Sequence, residues 1–292
     1  MTEFRRWLRY HQARWRQDRN LPIGSQPIVP QQGKPSRPVG SRLALEYAVE
    51  TGANFVTQAA LAAVRARTAI VEPHQSIDHQ RLWADLLWSP ALVFNLFGDL
   101  AADLRRADRA VGEWWPNAAG SVSDVRFAHS PGRLDPAYLN SLRAFDAAFV
   151  LDREDGTRGI VGVSVKYHDW AKPETPKPSN FARYQQVASR SRIFRRGAVE
   201  TLRKRSALAV MWLEHLLLLS MLQHESAAWS WGRYVVVHPK GNVDYTDACD
   251  RYRRLLADES TFATATLEEL LGSPVLPQRT RTALRDRYVA QV

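Results

Sequence analysis

Polar and apolar residues alternate most clearly between residues 145 and 167. Phe145 to Leu151 and Gly159 to Tyr167 are two apolar, partly β-branched runs of strand length. The polar stretch Asp152 to Arg158 between them contains Asp155-Gly156, a common hairpin turn pair. The pattern predicts a β-hairpin. On its second strand Val161, Val163, Val165 and Tyr167 face one side, and Ile160, Gly162, Ser164 and Lys166 the other, because strand side chains repeat every two residues. A lysine and the neighbouring Asp146 on one face of an apolar hairpin mark a cleft that binds something charged.

Around the hairpin the periodicity changes. Phe4, Leu8, His11 and Trp15 fall on one helical face within residues 3–18, amid Arg5, Arg6, Arg9, Arg14, Arg16 and Arg19. This is either an arm lying on DNA or an acidic membrane, or a helix packed on its own domain with a basic rim. Residues 20–40 hold five prolines and three glycines, which predicts a surface strap. A helix capped by Ser41 follows, then a helical region over 77–104 that Pro90 breaks or kinks. Residues 122–127 read as a strand. The segment 207–223 is apolar nearly all round and reads as a buried helix; 233–237 reads as a central buried strand. A helix over 245–256, an edge strand over 261–266 and an amphipathic helix over 277–290 close the chain. The expected architecture is α/β, a mixed sheet flanked by helices with a helical N-terminal half. Residues 1–40 form a basic helix and Pro-rich strap; 41–292 form the main domain, helical over 41–120 with the sheet core over 121–292.

Composition adds charge to this picture. The 292 residues carry a formal charge of +10, and of 40 basic residues only six are lysine. Arginine grips phosphate with paired hydrogen bonds, so nucleic acid is a natural partner; a GC-rich genome gives the same bias. The block Arg183, Arg190, Arg192, Arg195, Arg196, Arg203, Lys204 and Arg205 holds one acid, Glu200, and reads as a phosphate-binding face or a solvated helix face. Cys249 is the single cysteine, which excludes an intrachain disulfide and leaves a thiolate metal site without ligands. No secretory signal is expected at the charged N-terminus, and the apolar 208–222 segment is too short to span a bilayer, so a cytoplasmic location and no membrane partner are expected. His215 and His224 lie nine apart with no third ligand evident and read as structural.

Phosphodiester cleavage needs a positioned water and neutralised phosphate charge. Mg²⁺ with one or two carboxylates and a nearby lysine supplies both. An aspartate on one strand, with an acid-x-lysine on the next, meets that need. This arrangement resembles the PD-(D/E)XK nuclease superfamily. The segments Leu82 to Leu87, Phe94 to Gly98, Ser130 to Arg133, Ala144 to Asp146 and Val165 to His168 are together similar to a group of bacterial restriction-endonuclease-like proteins within it. The resemblance implies a restriction-endonuclease-like fold, a Mg²⁺-dependent DNA endonuclease (with Mn²⁺ able to substitute), DNA as partner, and Asp146 and Lys166 as metal-binding and catalytic residues. A homodimer is compatible with this reading.

Two positions depart from that pattern. Ser164 stands where an acid belongs, and a hydroxyl is a poor Mg²⁺ ligand. Ala128 stands where an acid is expected ahead of Ser130. Three explanations stay open. The acid has moved to a helix, with Glu46 the first choice beside Glu50, Glu200 and Glu214; the site is degenerate and the chain is an inactive DNA-binding protein; or the sequence carries inactivating substitutions. Expected catalytic residues are therefore Asp146, Ser164, Lys166 and Glu46, with Asp146 and Glu46 on the metal. Arg133, His168, Arg183, Arg190, Arg192, Arg195 and Arg196 are expected on nucleic acid.

Overall fold

The computed structural model describes residues 2–26, 36–118 and 120–289. The middle of the Pro-rich stretch, 27–35, lies outside the described residues. Its flanks pair instead of forming only a strap: β1 (Ile23–Ser25) runs antiparallel to β2 (Pro38–Leu43).

The helical half comprises α1 (Glu3–Asp18), α2 (Leu45–Thr51), α3 (Gln58–Thr68), α4 (His79–Ala84), α5 (Ser89–Ala102) and α6 (Leu104–Trp114). Ser41 caps no helix, because it lies within β2; Thr57 caps α3 by accepting from the Ala60 N–H. Pro90 neither breaks nor kinks a helix. It sits in the first turn of α5, where its missing N–H would have no intrahelical partner anyway.

The sheet consists of β3 (Ser121–His129), β4 (Phe145–Asp152), β5 (Arg158–Val165), β6 (Trp229–His238) and β7 (Phe262–Thr266), in that spatial order. The first three strands are antiparallel neighbours, and β6 and β7 add in parallel. The expected hairpin is β4–β5. Gly156 takes φ +76° in its turn, a conformation that costs glycine no steric strain. Between β5 and β6 run α7 (Phe181–Ser191), α8 (Ala198–Leu202) and α9 (Ala209–Leu222); α10 (Val243–Arg253), α11 (Leu267–Gly272) and α12 (Gln278–Tyr288) complete the chain.

Each sheet face carries its own core. Val161, Val163, Val165 and Tyr167 pack with α3, α5 and α6, while Ile160 packs with α7, α9 and α10. The alternation read from the sequence is thus the division between two cores. Gly162 lies on the α9 side. A Cβ there would stand 2.7 Å from the Phe145 ring, so only glycine lets that ring lie across β5.

The N-terminal helix belongs to the first core. Leu8 is fully buried and Trp15 nearly so. Gln12 donates to the Tyr167 hydroxyl (2.9 Å) and to the Arg287 carbonyl (2.7 Å), joining α1 to the end of β5 and to α12. Arg287 is itself buried and donates to the Asn54 carbonyl (2.6 Å). The hydrophobic side of α1 therefore faces its own chain.

Leu8→Ala distinguishes this arrangement from a free arm. A packed helix predicts a loss of about 2–5 kcal/mol in urea unfolding, the range for buried Leu→Ala changes. A loss under about 0.5 kcal/mol, the usual surface value, identifies an arm.

Candidate active site

Asp146 is the second residue of β4. The β4–β5 backbone ladder ends at Ala147–Val163. Beyond that point the Asp146 carboxylate takes the place of a backbone acceptor: Oδ2 receives the Val165 N–H at 2.7 Å. Its other oxygen, Oδ1, makes no hydrogen bond among the described residues. The side chain stays 25% exposed.

Lys166 follows Val165 at the end of β5. Its N–H donates to the Val237 carbonyl of β6 at 2.8 Å. Asn242, the residue before α10, donates its side-chain amide to the Lys166 carbonyl (3.2 Å) and the Asp169 carbonyl (3.0 Å). Ser89 at the start of α5 accepts the Tyr167 N–H (2.9 Å) and donates to the Asp169 carboxylate. Both sides of the sheet thus hold the backbone that carries the lysine.

The Lys166 ammonium lies 4.0 Å from Asp146 and 3.7 Å from a second carboxylate, Glu214. Glu214 projects from the middle of α9, where only 7% of its side chain is exposed. One of its oxygens accepts from Ser164 Oγ (2.9 Å) and from the Tyr234 hydroxyl of β6 (2.6 Å). The other oxygen faces Lys166. Ser164 therefore supplies a hydrogen bond to the acid on α9, in the strand position where an acid itself was expected.

The structure does not bring Glu46, the first choice, into a contact with Lys166 among the described residues. That residue is exposed on the first turn of α2, and the acid beside Lys166 is Glu214. The signal was present: a single acid inside a helix apolar on every side has to meet a partner. Periodicity alone could not separate it from the other three glutamates.

Burial drives the Asp146 carboxyl up to about 6, with Glu214 adding to the rise and Lys166 and the Val165 N–H opposing it. Burial by itself would lower the Lys166 pKa, but Glu214 and Asp146 outweigh it and hold the ammonium above its ordinary value. Lys166 therefore stays charged at neutral pH.

Ala128 stands across β3 from Asp146, between the pairs Phe127–Ala147 and His129–Phe145. Its φ of +50° is left-handed, a conformation in which Asp and Asn are enriched over alanine. No group of three or more His, Cys, Asp or Glu able to hold a metal occurs among the described residues. The donor set does fit a hard divalent ion that keeps most of its waters, as Mg²⁺ does with one or two carboxylates: Asp146 Oδ1 is uncommitted, and Glu214 lies across the same lysine.

The expected nucleic-acid contacts divide. Arg133 is 7% exposed at its side chain, pairs with Glu72 and donates to the Ala128 carbonyl (2.7 Å). Arg183 donates to the Tyr138 carbonyl (2.6 Å) and Ala137 carbonyl (2.7 Å), and Arg195 to the Leu256 carbonyl (2.8 Å). These three arginines tie loops together, because guanidinium groups satisfy otherwise unpaired carbonyls. Arg190, Arg192 and Arg196 are exposed and make no ion pair among the described residues. His168 sits two residues past Lys166 with Nε2 buried and unpartnered. Burial, then Arg9 and Arg5, hold its pKa down to about 4, so the ring is neutral. Arg5 of α1 donates to the His168 carbonyl at 3.1 Å. His215 and His224 are separated: His215 bonds Tyr252 and Thr261 in the second core, whereas His224 lies past the end of α9 and stacks on Tyr138.

A mixed five-stranded sheet presenting an aspartate and a lysine on adjacent strands defines a class, and the sequence comparison agrees with it. A family profile, that of the PD-(D/E)XK nuclease superfamily, matches residues 2–290, and the chain belongs to that superfamily. No curated protein and no solved structure matches it. Nucleases of this superfamily generally use divalent metal ions. No helix among the described residues is long and apolar enough to cross a membrane.

The Asp146 titration is directly observable. Its carboxyl ¹³C resonance should titrate near pH 6 instead of 3.8. Because folding favours the protonated form, this group's contribution to stability is present below about pH 4 and is lost as pH rises toward about 6. Lys166→Met should move the midpoint higher still, since the ammonium opposes the shift. A midpoint at or below 3.8 contradicts the buried setting.

Proposed function

We propose that this chain is a Mg²⁺-dependent DNA endonuclease with a restriction- or defence-like role in the cytoplasm, and that Asp146, Glu214 and Lys166 carry the reaction. The observation behind this is the placement of Lys166 between two carboxylates on the open end of the sheet. Asp146 Oδ1 and Glu214 would hold the ion. When bound, Mg²⁺ neutralises phosphate charge and makes water a better nucleophile.

The chain's own groups do the rest. The oxygen of a water bonds to phosphorus as the P–O bond to the leaving sugar breaks; one proton of the water ends on that leaving oxygen and the other passes to solvent, giving a phosphate end and a hydroxyl end. Lys166, kept charged by its two neighbours, would donate to the phosphate oxygen as negative charge builds and orient the attacking water. Ser164 and Tyr234 hold Glu214 in one orientation through two hydrogen bonds. Val165 holds Asp146 with Oδ1 turned free. Such second-layer contacts commonly change activity by about 10–100-fold.

DNA is the substrate this charge distribution favours. Arg190, Arg192 and Arg196 follow the site in sequence and are free to meet phosphates. Arg5 and Arg9 stand over His168 beside the lysine. A second reading, an inactive DNA-binding protein of the same fold, draws on Ser164 and Ala128. It predicts binding without cleavage.

Two experiments separate these readings. With Mg²⁺ and plasmid DNA, Asp146→Asn and Glu214→Gln should each reduce cleavage by roughly a hundredfold or more, since even second-layer changes cost about 10–100-fold. Glu46→Gln should retain wild-type rates. Mg²⁺ affinity should rise with pH through about 6, as the proton leaves the Asp146 carboxyl that would hold the ion. No cleavage by the wild type with Mg²⁺ or Mn²⁺ favours the inactive reading. Separately, the triple change of Arg190, Arg192 and Arg196 to Ala should flatten the dependence of log affinity on log salt by about 0.9 per lost phosphate contact. An unchanged slope removes α7 and the loop after it from the DNA surface.

A further inference from the structure

Asp146 is also part of the wall of a cavity of about 300 Å³. The cavity lies between the start of α5, the loop before α4, and the β3–β4 connection. Trp88, Pro90, Val93 and Phe94 make its apolar side, and Ser76 lies at its rim. This volume is at the lower end of small-molecule sites, about 300–1,000 Å³. A single flat heterocycle fits within that volume.

A second cavity, of about 520 Å³, adjoins it and carries Arg143 and Lys177. Leu142 lines both cavities. This leucine is 58% exposed, and Leu134 on the same connection is 38% exposed. Lys177 is exposed and makes no ion pair among the described residues. An exposed aliphatic side chain thus stands between an aromatic-lined pocket and a cavity that carries Lys177 and Arg143, the latter paired with Glu174 at 2.7 Å.

We propose that the cavity beside Asp146 receives a single unstacked nucleobase, so that the substrate is DNA with an unpaired or extruded base at the scissile phosphate. The inference rests on the phosphodiesterase reading of the site and specifies its substrate class. Three features lead to it. In any nucleotide the base lies within a few bonds of its own phosphate, so a pocket sharing Asp146 with the cleavage site is where that base falls. Aromatic and aliphatic walls bind the face of any base without regard to sequence. Apolar side chains such as leucine are the usual wedges that open a base step, and extrusion is easiest where the base has lost its partner.

The test compares three DNA duplexes with the full chain in Ca²⁺, a divalent ion that fills carboxylate sites without the tight geometry Mg²⁺ imposes and so slows cleavage: one fully paired, one with a single bulged adenine, and one with an abasic nucleotide in the bulge. The bulged adenine should bind about tenfold tighter than the abasic bulge, in the range of one base-stacking contact. Ser76→Trp, at an exposed rim position, should fill the cavity and erase that difference while leaving binding to the paired duplex unchanged. Leu142→Ala, also at an exposed position, should reduce the preference for the bulge over the paired duplex. Equal affinity for the adenine bulge and the abasic bulge overturns the base pocket, as does a preference that survives Ser76→Trp; salt-dependent binding in those cases leaves the nuclease reading standing. Failure to bind any of the three overturns both.

Discussion

The site depends on one buried ion triplet. Lys166 carries a charge at the end of β5 where only 14% of its side chain meets solvent. A cation so placed needs compensation, because desolvating an unpaired charge costs several kcal/mol. Asp146 and Glu214 provide it from opposite elements, one a strand and the other a helix. Two acids against one base leave negative charge to spare. That surplus, with burial, raises the Asp146 carboxyl toward neutrality and favours the arrival of a cation.

Much of the surrounding sequence follows from this constraint. Residue 164 has to be small and hydrogen-bonding, since its side chain points at Glu214 and is completely buried. Residue 162 has to be glycine for Phe145 to close the same face. Tyr234 on the next strand gives Glu214 its second hydrogen bond. A glutamate at 164 would put a third carboxylate into this space. On the proposed reading, the serine is the complement of an acid supplied by α9, and the departure from the superfamily pattern is a relocation of charge.

How much of this was legible in the sequence depended on the range of the interaction. The hairpin, its turn and its two faces were legible, because strand periodicity and the Asp155-Gly156 pair are local signals. Asp146 and Lys166 stood out as charges in apolar strands. Choosing Glu214 over Glu46 required knowing which helix crosses the sheet at Ser164, and that packing joins residues fifty apart. The same limit applied to the arginines. Sequence showed a basic block but not that Arg183 and Arg195 donate to backbone carbonyls of distant loops. The pairing of β1 with β2 was hidden because prolines flank it. The Ser41 cap was a local signal overridden by that pairing.

On the proposed reading, Glu214 performs the part of the missing strand acid. Calorimetric Mn²⁺ titration of Glu214→Ser and of the exchanged pair Ser164→Asp with Glu214→Ser tests it most directly. The single change should abolish binding at the site, and the exchange, which returns a carboxylate to the strand beside Lys166, should restore it. Mn²⁺ binding unaltered by Glu214→Ser would mean that Glu214 is not the acid that holds the ion.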